Sequence, residues 1–418
     1  MNKLFHSILL FSLIILLVSC GETHDNVPDD KVVEPTQIIL DDLPGEGTAN
    51  NPYKVTLSIR EEFTTAITMV PQNAAAQYSY GFMRKVNNSF ESLPGDEVRG
   101  FSLNPVESKS IFSITGRVVG THYVELRQNN IETLIEVTVT EQTYTPMTVD
   151  YSKQLKVLAI GNSYSDDAMQ YLYQIADDYG IEDIILGNLV VAGAELSQHA
   201  SFAVNNSKAY VYRKTTNGTW VDTPFSTLLQ GLTDEDWDII TIQEAPVKSG
   251  LKDQYEPYLT RLINYVHGYK TNPNAKIFWH LTWANETGND HAFFEPYNYD
   301  QQVMYDGIIE AYETVVSNHD RIEGLIPVGT VIQNLRSSYM GDTFTRDGYH
   351  LSYGKGRYIA GLTFFRAITD LNIDSITYLP TGFTGTDEVK LSDLDVIKES
   401  IEAAIIKPLE ITPSTYTN

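Results

Sequence analysis

The chain has 418 residues, too many for one ordinary domain, and its 42% apolar and 20% charged content suits a soluble globular protein with large cores. A formal net charge of -25, with no basic stripe or run of Lys and Arg, repels phosphate backbones and argues against nucleic-acid binding, while keeping the protein soluble. The single cysteine, Cys20, excludes an internal disulfide framework and a cysteine zinc site.

At the N-terminus, Lys3 precedes an almost unbroken apolar run over 8–18, followed by Ser19, Cys20 and Gly21. A charged start, an apolar middle and small residues at the cut read as an export signal over 1–19, and the run is short for a bilayer span. Leu17-Val18-Ser19-Cys20 resembles the lipobox of bacterial lipoproteins. That resemblance implies lipidation of Cys20 and a lipid anchor in the Gram-negative cell envelope, at the outer membrane. The alternative is a plain secretory signal that leaves Cys20 free. Residues 20–35, acidic and carrying Pro28 and Pro35, read as a flexible tether.

Residues 36–145 read as an all-β domain. Runs rich in Val, Ile, Thr, Tyr and Phe alternate over 53–59, 111–118, 122–127 and 133–140, separated by Gly, Pro and Asn clusters. About a hundred residues of short strands fit a β-sandwich. The segment from Gly120 to Leu126, with 135–139, resembles the last hairpin of bacterial Ig-like modules. No chemical constellation occurs here, His122 fits a packing role in a strand, and the expected role is a spacer or binding accessory.

From 150 to 418 the pattern changes to α/β. Strands are expected at 155–160, 184–191, 237–242, 276–283 and 326–328. Helices are expected at 167–179, 255–269, 304–317, 353–369 and 391–406. This alternation implies a mostly parallel sheet with helices on both faces, which puts the working residues at the C-terminal ends of strands.

One such end is Gly161-Asn162-Ser163-Tyr164, on a strand-to-helix turn. A serine there exposes its hydroxyl next to amides able to hold an oxyanion, although a helix cap made by Ser165 or Asp166 reads as well from this segment alone. Near the C-terminus stands Asp347-Gly348-Tyr349-His350. An Asp three residues before a His can fold back onto the imidazole N–H, fix its tautomer and stabilise the imidazolium that a serine nucleophile requires.

The two segments together resemble the first and last blocks of the SGNH/GDSL hydrolases, usually Gly-Asp-Ser-Leu and Asp-x-x-His. The resemblance spans about 153–370. It implies a three-layer α/β/α esterase with Ser163, Asp347 and His350 as its catalytic triad. In the second block Gly193 corresponds to the glycine whose N–H joins that of Ser163 in the oxyanion hole. In the third block the usual Asn is replaced within Thr241-Ile242-Gln243-Glu244-Ala245, and Gln243 is the expected substitute donor. Asn162, replacing the usual Asp, reads as structural. The segments also look like an uncharacterised SGNH-like group of bacterial surface lipoproteins, which implies an acylated polysaccharide or oligosaccharide, such as an O-acetyl ester, as substrate.

His199, Trp283 and Asn285 are the candidate substrate-binding residues, with Trp279 and His280 also near the expected site and residues 286–299 as a loop covering it. Asp166 and Asp167 have no companions at ligand spacing, so no metal is expected, and no cofactor, since Gly354-Lys355-Gly356 lacks the spacing of a phosphate loop. The leading expectation is a serine esterase acting on glycans. A non-catalytic glycan-binding lipoprotein on a degenerate scaffold, and a lipase or thioesterase, are the alternatives.

Overall fold

The computed structural model describes residues 33–417 except 73, 107, 108 and 146, and no side chain is described for Val106. The expected export signal, Cys20 and most of the tether lie outside the described residues.

Two sheets build the N-terminal part. One contains β1 (Gln37–Leu40), β3 (Glu62–Val70), β7 (Ile111–Gly116) and β6 (Phe101–Val106), in the order β1-β3-β7-β6. The other contains β2 (Tyr53–Ser58), β9 (Ile131–Thr140), β8 (Gly120–Gln128), β4 (Ser79–Val86) and β5 (Ser89–Ser92), in the order β2-β9-β8-β4-β5. Alternation sends Ile38, Met69 and Ile114 from the first sheet into the same core as Leu57, Val124 and Val137 from the second. His122 is half-buried, and its Nε2 lies 2.7 Å from the Val118 carbonyl.

The larger part is mixed α/β around one seven-stranded sheet. Its strands are β10 (Gln154–Gly161), β11 (Asp183–Val190), β12 (Tyr210–Thr215), β13 (Val221–Ser226), β14 (Ile239–Ile242), β15 (Lys276–His280) and β16 (Ile322–Ile326), in the order β13-β12-β11-β10-β14-β15-β16. The five strands from β11 to β16 pair in parallel, and β12 and β13 add an antiparallel edge. On one face Leu155, Val157 and Ala159 of β10 meet α1 (Ser163–Met169), α2 (Leu172–Tyr179), α7 (Val328–Arg336), α8 (Lys355–Thr369) and α9 (Leu394–Ile406). On the other, Leu158 and Ile160 meet α3 (Leu196–Val204), α4 (Leu228–Asp234), α5 (Tyr258–Tyr269) and α6 (Gln301–Thr314). The β10 run is apolar on both faces because both are covered.

Several boundaries differ from those expected. The helix expected at 167–179 is two helices, because Asn162 caps the first one early and the chain breaks at Tyr171, which has φ -109° and ψ 3°. The last strand ends at Ile326 rather than starting there, since Pro327 follows and α7 begins at Val328. The hairpin β12–β13 and helices α3, α4 and α7 were not expected.

Strand register sets the position of the site. Gly161 pairs with Val190, Ile160 with Ile242, and Ile242 with Trp279. Gly161, Val190, Gln243 and His280 therefore fall at the same level, at or just past the C-terminal ends of four adjacent strands, and Asn162 and Ser163 follow directly.

Candidate active site

Ser163 opens α1 immediately after β10. Asn162, in extended conformation, caps this helix by accepting the Tyr164 N–H at 2.9 Å, and its own Nδ2 donates to the Ala194 carbonyl at 3.0 Å. This agrees with a structural role for Asn162. As the first residue of the helix, Ser163 has a backbone N–H without an intrahelical acceptor, at the positive end of the helix dipole. Its side chain is half-buried and faces His350.

The turn 347–350 folds as its spacing predicts. Asp347 Oδ1 accepts the His350 backbone N–H at 2.8 Å, and Oδ2 lies 2.7 Å from His350 Nδ1. His350 Nε2 lies 2.8 Å from Ser163 Oγ. The three groups thus form one continuous hydrogen-bonded chain. Burial pushes the Asp347 carboxyl up, but the His350 ring and the backbone amides of His350 and Tyr349 outweigh it and hold the acid below its usual range. Gly348 allows the turn at φ 89°, and a Cβ there would strike the Asn289 amide at 1.8 Å.

A buried clamp joins the turn to the helix of Ser163, and nothing in the local sequence pattern predicts it. Asp167, one helical turn beyond Ser163 and fully buried, accepts Arg346 Nη1 at 3.0 and 3.1 Å, Arg357 Nε at 2.8 Å and the Leu351 N–H at 2.9 Å. Arg346 Nη1 also donates to the Leu351 carbonyl. Asp166 pairs with Arg213. Both acids are therefore held by arginine, and among the described residues no group of three or more His, Cys, Asp or Glu stands where it could hold a metal ion.

Gly193 lies on the turn after β11, exposed, with φ 65°. Gln243 is buried: its Nε2 donates to Asn162 Oδ1 at 3.0 Å, and its Oε1 accepts from His280 Nδ1 at 2.9 Å. One amide N–H of Gln243 is then left over. Burial drives the His280 imidazole down to about 3, so it stays neutral, and its Nε2 is buried without a partner. The neighbouring Glu244 is buried and pushed up to about 7, while its Oε1 accepts the N–H groups of Leu196 and Ala245 at 3.0 and 2.6 Å.

The three residues expected to bind substrate are enclosed instead. His199 is fully buried, stacked on Tyr210 with its Nδ1 at 2.8 Å from the phenol. Trp283 is fully buried under the site, stacked on Tyr164 at 4.0 Å between centroids, and its Nε1 donates to the Tyr349 carbonyl at 2.6 Å. Asn285 is fully buried, and neither polar atom of its side chain has a hydrogen-bond partner. Each sits at a strand end or in a nearby helix, as its sequence position suggests, but with its side chain turned into the core. Trp279 is buried as well. Loop 286–299 packs against the 347–350 turn: Asn289 Nδ2 donates to the Asp347 carbonyl at 3.1 Å, and the Glu286 N–H to that of Gly348 at 2.7 Å. A cavity of about 640 Å³ lies away from Ser163, between the β12–β13 hairpin and α4.

Residues 156–393 match the family described as a domain of unknown function, DUF4886. The chain belongs to the DUF4886 family. A DUF4886 family protein from Bacteroides uniformis is 36% identical to it, over 64% of this chain and 100% of that one, with a TM-score of 0.60. A salicylyl-acyltransferase from a tetracycline biosynthetic pathway is 11% identical over 64% of this chain and 65% of its own, with a TM-score of 0.30. A carbohydrate acetylesterase from Xanthomonas citri is 7% identical over 80% of this chain and 76% of its own, with a TM-score of 0.29. Similarity that low carries no argument about this DUF4886 protein. Among curated proteins none matches it.

Proposed function

We propose that this DUF4886 protein is a serine esterase of the SGNH type that removes acyl groups, O-acetyl above all, from glycans. The observation that carries this reading is the chain of contacts from Ser163 Oγ through His350 to Asp347, at 2.8 and 2.7 Å. A binding module has no use for it. In this reading residues 150–418 form a three-layer α/β/α hydrolase domain, and residues 36–145 an Ig-like sandwich in front of it.

Ser163 Oγ attacks the ester carbonyl while His350 Nε2 takes the hydroxyl proton. Asp347, kept ionised, stabilises the resulting imidazolium. The N–H groups of Ser163 and Gly193 hold the tetrahedral oxyanion, with the remaining amide N–H of Gln243 as third donor. Collapse expels the alcohol, which takes its proton from His350, and leaves an acyl-Ser163 ester. Water, deprotonated by His350, then releases the carboxylic acid and restores the serine.

The export signal and the lipobox-like residues up to Cys20 support a lipid-anchored protein of the outer membrane. Among the described residues no helix is long and apolar enough to cross a membrane.

The deciding experiment is p-nitrophenyl acetate hydrolysis by residues 21–418, wild type beside Ser163→Ala, with fluorophosphonate labelling of both. Turnover and label that vanish in the variant are the expected result. A wild type that neither turns over nor takes label would leave the glycan-binding alternative, which the engagement of Gln243 within the protein favours.

A further inference from the structure

Any ester opened by Ser163 leaves its alcohol beside His350, because the imidazolium returns its proton to the leaving oxygen. The surface flanking His350 therefore selects the alcohol. That flank is aromatic. The Tyr349 ring lies 4.2 Å from the His350 ring between centroids, Phe293 meets Tyr349 edge-on at 4.7 Å, and His291 lies 4.1 Å from Phe293 and 5.2 Å from Tyr349. His291 is exposed, and Phe293 and Tyr349 are half-buried.

The cluster is built in. Trp283 fixes the Tyr349 carbonyl, Asn289 bridges to the Asp347 carbonyl, and the Asn289 side chain accepts the His291 N–H at 2.9 Å. Phe294, next in the chain, is fully buried and pins the loop to the core. Apolar rings fixed at the rim of a catalytic site suit a ligand with one apolar face. Asp290 and Glu295, exposed on the same loop, add negative charge that repels an anionic alcohol.

We propose that His291, Phe293 and Tyr349 form a platform for the alcohol side of the substrate, taking the C–H face of a neutral pyranose ring. This rests on the esterase reading above.

The test compares two acetate esters that share the acyl group and differ in the alcohol: a methyl per-O-acetyl-xyloside and ethyl acetate. Each is hydrolysed by the mature full chain, with rates corrected for base-catalysed hydrolysis. The readout is the ratio of the two kcat/KM values, which is internal to each variant and insensitive to a partly unfolded sample. The wild type is expected to favour the xyloside at least tenfold. His291→Ala and Phe293→Ala should each lower the ratio by up to about tenfold, the reach of one lost ring contact, and Phe293→Tyr should retain it. A wild-type ratio near one, or a ratio untouched by both alanine variants, overturns the platform while leaving the esterase standing. If neither ester is cleaved and Ser163 takes no fluorophosphonate, the esterase reading falls and the platform falls with it.

Discussion

Gln243 gives one N–H to Asn162 and its carbonyl to His280, so a single N–H remains for an oxyanion. Its removal would also free Asn162, the cap residue of the helix that Ser163 opens. Gln243→Ala should therefore lower kcat by about 100-fold or more with little change in KM, the effect of losing a donor used only in the transition state. A loss below tenfold in steady-state kinetics would leave the two backbone N–H groups as the whole oxyanion hole. The buried histidines give a second prediction at this scale. Burial holds His199 at about 4 and His280 at about 3, below the usual 6.5. Between pH 6.5 and 4 the unfolded chain thus binds more protons at these positions, and the stability they contribute above pH 6.5 is lost as pH falls. Glu244, raised to about 7, acts in the opposite sense between pH 4.5 and 7, because there the folded state binds the extra proton. A difference measurement isolates one histidine: the midpoint of wild type minus that of His280→Gln should shrink as pH drops from 7 to 4 in thermal melts. A constant difference would contradict a depressed His280. Ser163, Asp347 and His350 were legible in the sequence because their chemistry depends on local spacing. The burial of His199, Trp283 and Asn285 was not, because a residue at a strand end can turn either toward solvent or toward the core, and only packing decides.

At the scale of elements, the site depends on how firmly the 347–350 turn is held to α1. The Asp167 carboxylate joins them through Arg346, Arg357 and the Leu351 amide, with its side chain 1% exposed. Asp167→Asn leaves two arginines, partly exposed themselves, facing a neutral amide on a buried side chain. Breaking a buried pair of this kind costs about 3–5 kcal/mol. The variant should unfold at lower denaturant, and at temperatures where it is still folded its Ser163 should react with fluorophosphonate more slowly, since His350 is no longer held at 2.8 Å. A variant that loses stability but labels at the wild-type rate would show the clamp to be purely structural. The sequence showed neighbouring Asp166 and Asp167 but not their partners, because Arg346 and Arg357 lie about 180 residues away and no local spacing links them. The β12–β13 hairpin was hidden for a different reason: it forms the sheet edge, and β13, exposed at every position but its last, has no apolar run to mark it. The parallel core of the sheet was legible because its strands are continuous apolar runs, the mark of burial on both faces.

At the scale of the whole molecule, the two parts meet along α5. Arg60 Nη1 donates to the His267 carbonyl at 2.8 Å, Arg117 Nη1 to that of Gly268 at 2.9 Å, and the Arg117 guanidinium lies 4.3 Å from the Tyr269 ring centroid. These acceptors sit at the C-terminal end of α5, which leads into the start of β15. In a parallel sheet that is the edge opposite the one carrying Ser163, and a further ion pair, Arg261 with Asp96 at 3.1 Å, ties the β part to the first turn of α5. Gly268 is the tightest point of the contact: a Cβ there would lie 2.4 Å from the Arg117 carbonyl oxygen, which is backbone and cannot rotate away. Gly268→Val should therefore push the two parts apart. Calorimetry should then resolve two unfolding transitions where the wild type has one, or widen the gap between them. p-Nitrophenyl acetate turnover should stay within about twofold of wild type, because no residue of the triad or its clamp touches this contact. A fall in turnover matching that of Asp167→Asn would instead mean that the docking edge and the catalytic edge are mechanically linked through the sheet. The β part would then act as more than a spacer.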